Sequence, residues 1–267
     1  MNKYTILVTN DDGIESPGLR AAVESVIDIG TVIVAAPSGQ QTATGRGLTG
    51  EKQSVLEAVA YRVGAVDVQA YRCDCSPALI VKHSMRTLFK EIKPDLLISG
   101  INYGENLGVN ITSSGTVGAA LEAASFGIPG IAISKQTDIE LHYSYCEQDW
   151  TACAYFLSKF SRKLLEKSLP EDVDVLKIDI PIAATSRTGW RMTTLGRAGY
   201  YFKELEDTDN GGMVGAGKTV VRVDLRHLPS KTDIYTLAID GLVSVTPLSL
   251  DLTSRVDLSD LRSLLEE

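Results

Sequence analysis

Short continuous apolar runs recur along the chain, separated by stretches with a helical repeat. The runs "YTILVTN" (4–10), "TVIVAAP" (31–37), "DLLISG" (95–100), "GIAIS" (130–134) and "VDVLKIDIP" (173–181) are rich in β-branched residues. Such runs predict strands buried on both faces. "VDVQAYR" (66–72) is a further candidate strand. Between them the pattern predicts helices from Pro17 to about Asp28, from Pro77 to about Glu91, and from near Thr116; a proline suits a first helical turn. After Gln148, the residues Trp150, Cys153, Leu157, Phe160 and Leu164 follow at steps of three and four, an amphipathic stripe. Strand and helix in alternation predict an α/β fold, a Rossmann-like three-layer core with a mainly parallel sheet.

From Ala183 the pattern changes. Gly-rich and polar stretches such as "DNGGMVGAGK" (209–218) separate β-like pieces, and "TLAIDGLVSVTP" places Asp240-Gly241 between two apolar runs. Asp-Gly in that setting predicts a two-residue hairpin turn. The expected organisation is a core over residues 1–182 and a β-rich extension with a hairpin arm over 183–267. The two are expected to pack as one unit, and a short helix is expected from about Leu258.

With 44% hydrophobic and 22% charged residues, the 267-residue chain has an ordinary globular composition. Its net charge of −8 and lack of a Lys/Arg run argue against a nucleic-acid partner held by phosphate contacts. No apolar stretch has the length of a membrane span, and a strand begins too early to leave room for a signal peptide; the expected location is cytoplasmic. Cys73, Cys75, Cys146 and Cys153 form no zinc spacing. With only three histidines, a metal here is expected to be held by oxygen.

In open parallel sheets, ligands bind beyond the carboxyl ends of the strands. Three polar loops follow strand ends: Asn10-Asp11-Asp12-Gly13, "PSGQQTATGRG" (37–47) and "SGINYGENLGVNITSSGTVGAA" (99–120). Adjacent carboxylates repel, and burying them is costly unless something neutralises them. A hard divalent cation, Mg²⁺ or Mn²⁺, would do so with neutral oxygens completing the shell, Asn102 and a hydroxyl of the second loop among the candidates. An acidic pair at a strand end also serves as a turn and helix cap, and both readings stand at this stage. The third loop ends in Ser113-Ser114-Gly115-Thr116 at a helix start, where backbone N–H groups and hydroxyls favour an anion. It matches neither a Walker loop nor GxGxxG. A cation site beside an anion site points to phosphoryl chemistry.

"LVTNDDGIESPG", "KPDLLISGINYGENLG", "SGTVGAALEAASFGIPGIAIS" and "DGLVSVTPLSLDLT" together resemble the SurE family, the stationary-phase survival proteins, over residues 4 to about 253. The resemblance implies a metal-dependent nucleoside-monophosphate phosphatase, a 5′-nucleotidase with 3′ activity left open. It implies a Rossmann-like core and a homodimer or homotetramer built through an exchanged β arm. By the same resemblance one divalent cation is held by Asp11, Asp12, Thr42 and Asn102, and phosphate by Asn106, Ser114, Gly115 and Thr116. Asp11 and Asp12 carry catalysis, Asp11 being the choice to orient or deprotonate the attacking water; direct attack by Asp11 to form an aspartyl-phosphate is less favoured. The second loop departs from the family's "APDREQSGVGHS": Thr42 stands for the ligand serine, Ala43 for a glycine and Arg46 for a histidine. Arg46 either adds a bidentate phosphate contact or marks the loss of an acid–base group. Ser113 likewise stands where the family has a tyrosine.

Elsewhere, Lys135 is read as a solvated lysine rather than a phosphate contact, and His142 as a surface or capping residue rather than a pocket one. Cys73 and Cys75 are read as packing residues. Tyr200 and Tyr201 are balanced between base stacking and interface packing. Two rival readings remain. A phosphoryl-accepting receiver module shares the acidic pair, Ser99 and Lys135, but its acceptor position falls on Asp74 in unsuitable surroundings. A catalytically silent nucleotide-binding protein is the other, given the altered second loop.

Overall fold

β1 (Thr5–Thr9) lies in the interior of the sheet, with β2 (Thr31–Pro37) on one side. The computed structural model describes residues 4–205 and 217–266. The remaining strands are β3 (Glu57–Val59), β4 (Arg62–Val63), β5 (Val66–Asp67), β6 (Gln69–Cys73), β7 (Leu96–Tyr103), β8 (Gly130–Lys135), β9 (Val175–Ile180), β10 (Trp190–Met192), β11 (Tyr201–Glu204), β12 (Lys218–Val221) and β13 (Val243–Leu248). The main sheet has nine strands in the order β10-β13-β9-β8-β7-β1-β2-β6-β3. From β9 across to β6 every pairing is parallel, as the apolar runs predicted.

Helices α1 (Pro17–Val26), α2 (Pro77–Arg86), α3 (Gly115–Ala124) and α4 (Thr151–Glu166) cover the sheet. Alternation along β1 explains the two layers. Ile6 and Val8 pack with Leu19 of α1 and Leu157 of α4 on one face, whereas Leu7 packs with Ile80 of α2 and Val117 of α3 on the other. The α4 stripe holds: Cys153, Leu157 and Phe160 are buried. The chain leaves β1 toward β2 and later returns to β1's other edge as β7. That reversal opens a crevice at the carboxyl ends of β1 and β7, where Asp11 and Asn102 lie.

The region after Ala183 is less separate than its composition indicates. β13 enters the main sheet antiparallel to β9, and β10 pairs parallel to β13. The hairpin arm is β11–β12, and most of "DNGGMVGAGK" lies outside the described residues. The Asp240-Gly241 hairpin is corrected. "TLAI" falls largely in helix α5 (Asp233–Ala238), capped by Thr232, and Gly241 turns the chain out of it with φ of +61°. The helix expected to reach Glu91 ends at Arg86. The final helix, α6, spans Leu258–Glu266 as expected.

Candidate active site

The first loop is tied by its own asparagine. Asn10 Oδ1 accepts from Gly13 N at 3.2 Å and its Nδ2 donates to the Gly13 carbonyl at 3.0 Å, an Asx-type closure. This turn holds Asp11 and Asp12 in the crevice at 6% and 2% exposure. Thr116 Oγ1 donates to Asp11 Oδ1 at 2.6 Å. Tyr103 N donates to Asp12 Oδ2 at 3.2 Å, and Gln40 Nε2 reaches Asp12 Oδ1 at 3.3 Å. All three loops therefore meet at the acidic pair.

Burial holds both carboxyls above their ordinary range; for Asp12 repulsion from Asp11 adds to it, and for Asp11 the Thr116 hydroxyl opposes it. Neither aspartate has an ion-pair partner among the described residues. Two adjacent buried carboxylates with only neutral donors fit a hard divalent cation. The described residues contain no cluster of three or more His, Cys, Asp or Glu side chains, so neutral oxygens must complete such a shell. Asn102 Nδ2 donates to the Gly104 carbonyl at 2.7 Å and to that of Tyr103 at 3.2 Å, which leaves its Oδ1 as the end available to a cation. The Thr42 hydroxyl makes no hydrogen bond among the described residues and sits exposed on the second-loop turn.

Ser114 caps α3 by accepting from Val117 N at 3.2 Å. This directs the N-terminus of α3 at Asp11, whose charge is favoured by the amides of Gly115 and Thr116. Only glycine fits at 115: a Cβ there would lie 2.8 Å from Asp11 Oδ2 and 2.9 Å from Thr44 Oγ1. Asn106 is fastened by its side chain, Nδ2 donating to Ser134 Oγ at 2.8 Å. Arg46 is engaged elsewhere. Its Nε donates to the buried Glu122 of α3 at 2.8 Å, and no contact joins it to the aspartates among the described residues.

A strap over residues 138–150 closes one side of the site. Tyr145 OH donates to the Asp12 carbonyl, Gln40 Nε2 donates to the His142 carbonyl at 2.7 Å, and Tyr103 OH donates to the Cys146 carbonyl at 3.2 Å. Lys135 is buried, not solvated: its Nζ donates to Gln148 Oε1 and the Asp149 carbonyl, both at 2.8 Å. His142 is half-buried and caps the short 139–141 turn, its backbone N donating to the Ile139 carbonyl at 3.1 Å. Its ring fills the space beside Gly104, where a Cβ would come within 2.6 Å of it, and burial lowers its pKa. Tyr200 is buried with its hydroxyl on Glu105 Oε1 at 2.6 Å, so it is not free to stack on a base. Cys73 and Cys75 pack as free buried thiols. Sequence reasoning missed Gln40 and Tyr145, which lie in stretches without periodicity, and the Tyr103 contact, which is made by backbone.

Comparison with known proteins follows the same lines. The model of the family described as Survival protein SurE matches residues 6–201. A 5′-nucleotidase SurE of Thermococcus kodakarensis is 39% identical over 265 residues, covering 97% of this chain and 98% of that protein. The 5′-nucleotidase SurE of Methanocella arvoryzae is 37% identical over 258 residues, 94% of each chain. The crystal structure of the SurE protein from Aquifex aeolicus superposes with a TM-score of 0.73 at 31% identity, covering 98% of this chain and all of that one. With its acidic pair, its "GIN" asparagine and its Ser-Gly-Thr helix start meeting in one crevice, the chain belongs to the SurE family.

Proposed function

We propose that the chain is a divalent-metal-dependent phosphomonoesterase that hydrolyses nucleoside monophosphates, a 5′-nucleotidase. The observation that carries this is the meeting of Asp11 and Asp12 with the N-terminus of α3: carboxylates that would take a cation stand beside a helix start that would take an anion. Asp11, Asp12 and the Asn102 amide oxygen would hold Mg²⁺ or Mn²⁺, with the Thr42 hydroxyl brought in from the second loop. A cation held there would neutralise the two carboxylates and supply Lewis-acid polarisation of the phosphate. Asn106, Ser114, Gly115 and Thr116 would receive the phosphate oxygens, the Gly115 and Thr116 amides now serving Asp11 passing to the anion. Asp11, which accepts from Thr116, would align the attacking water and take its proton. Arg46 would add a phosphate contact only by leaving Glu122.

The relatives named 5′-nucleotidase SurE supply the substrate class. A homodimer or homotetramer is part of the reading, supported by exposed apolar residues on the arm (Phe202, Val221) and on α6. No described helix is long and apolar enough to cross a membrane, and free cysteines fit the reducing cytoplasm.

The test is phosphate release from a panel of nucleoside monophosphates with Mg²⁺, Mn²⁺ or EDTA, for the parent protein and Asp11→Asn. Release that needs metal and falls by at least about a thousandfold in the variant is expected. Metal-independent release, or a variant of near-parent activity, overturns the assignment. Tight nucleotide binding without turnover would favour the silent binder.

A further inference from the structure

A second group of charges lies directly behind the phosphate loop. Lys177 and Asp179 of β9 and Asp233 of α5 are all fully buried. Lys177 Nζ pairs with Asp179 and lies 3.2 Å from Asp233 Oδ2. Apart from an Ile234 N to Asp233 Oδ1 bond of 2.9 Å within α5, their remaining hydrogen bonds go to loop backbone. Lys177 Nζ donates to the Asn106 carbonyl at 2.8 Å, while Asp179 Oδ1 accepts from Asn106 N at 2.8 Å. Asp233 Oδ2 accepts from Gly108 N at 3.0 Å, and its Oδ1 from Gly196 N at 2.8 Å. Both backbone polar groups of Asn106 are thus held by one ion pair, and its side chain is fixed separately by Ser134.

Buried ion pairs add little net stability, because desolvation offsets the attraction. What they supply is geometry, since every donor and acceptor has one satisfied arrangement. Here that arrangement runs from the C-terminal region, through β9, to the residue read above as a phosphate contact. We propose that Lys177, Asp179 and Asp233 are positioning residues that set the Asn106 loop for phosphate binding. This rests on the phosphatase reading of the site. The triad touches neither aspartate of the metal site among the described residues, so it is expected to govern phosphate affinity without governing metal affinity.

The experiment compares Lys177→Met, Asp179→Asn, Asn106→Ala and the Lys177→Met/Asn106→Ala double variant as intact proteins. Three readouts are taken per folded molecule: inhibition by inorganic phosphate, kcat/KM on a nucleoside monophosphate, and Mn²⁺ affinity by calorimetry. The proposal expects Lys177→Met to weaken phosphate inhibition and kcat/KM by about tenfold to a hundredfold, the scale of a small misplacement of a binding group. Mn²⁺ affinity should stay within about twofold of the parent, a bound well below the scale of a lost ligand partner. The double variant should be no worse than Asn106→Ala, because Lys177 acts through that residue. If Lys177→Met does not fold, Asp179→Asn, which keeps an acceptor oxygen for Asn106 N, decides with the same expected directions. Phosphate inhibition at the parent level in the decisive variant, with Asn106→Ala impaired, overturns the positioning role alone. An Asn106→Ala protein with parent phosphate affinity overturns the phosphate-contact reading itself.

Discussion

Asp12 shows what the site costs the fold. Its carboxylate is buried beside a second one with only neutral donors facing the pair, so without a cation the folded protein carries uncompensated repulsion. Asp12→Asn keeps the shape and removes that charge. The metal-free variant is expected to melt about 2–4 °C above the metal-free parent, the shift that ~1 kcal/mol gives in a chain of this size. The rise that Mn²⁺ produces in the parent should disappear. Thermal melts with and without Mn²⁺ decide it: a variant less stable than the metal-free parent that still responds to Mn²⁺ would mean the pair is only a structural turn. Gly115 makes a second demand at this scale. A methyl there meets Asp11 Oδ2 at 2.8 Å, so Gly115→Ala must shift Asp11 or the start of α3. Overpacking of this kind costs about 1–3 kcal/mol, and activity is expected to fall at least about tenfold while the protein stays folded. Parent kinetics in Gly115→Ala would show that the carboxylate has room to move.

At the scale of elements, legibility followed how local the determining pattern is. The stripe of α4 needs only its own residues, and the structure buries Cys153, Leu157 and Phe160 of it and packs Trp150 and Leu164 partly buried against the same core. Leu157→Ala should therefore destabilise by about 2–5 kcal/mol, the range for a truncated core leucine; a denaturant midpoint within error of the parent would contradict its place in the core. The Asp240-Gly241 signal was ambiguous for a physical reason. A hairpin turn and a helix C-terminus both call for glycine at positive φ, so the dipeptide does not choose between them. The Thr232 cap, which accepts from Tyr235 N at 3.4 Å, lies upstream and carries the missing information. The acidic pair, the asparagine and the helix start were legible because each loop follows its own strand. Gln40, Tyr145 and the buried setting of Lys135 were not, because each depends on the 138–150 strap folding back over residues far away in sequence. The Lys177 triad was hidden by the apolar run around it: charged residues inside "VDVLKIDIP" acquire meaning only when α5 brings Asp233 beside them.

For the molecule as a whole, the unanswered demand lies at α6. Leu258, Leu261 and Leu265 are exposed at 64%, 41% and 78%, at helical spacing, and no residue of α6 is buried. A helix of nine residues with none of them buried is marginal in water, so an apolar stripe on it gains most from a covering surface. A partner subunit is the cover that the proposed oligomer provides. The triple variant Leu258→Ser, Leu261→Ser, Leu265→Ser removes the stripe without touching the buried core. Sedimentation of the parent should give a dimer or tetramer, and the triple variant should shift toward smaller species. Its melting midpoint at low concentration, where assembly contributes little, should match that of the parent. A triple variant with the parent's mass would assign assembly to the β11–β12 arm alone, and a monomeric parent would remove the oligomer from the reading altogether. Asn106 and its supporting triad lie within one chain, so phosphate affinity should persist in the smaller species.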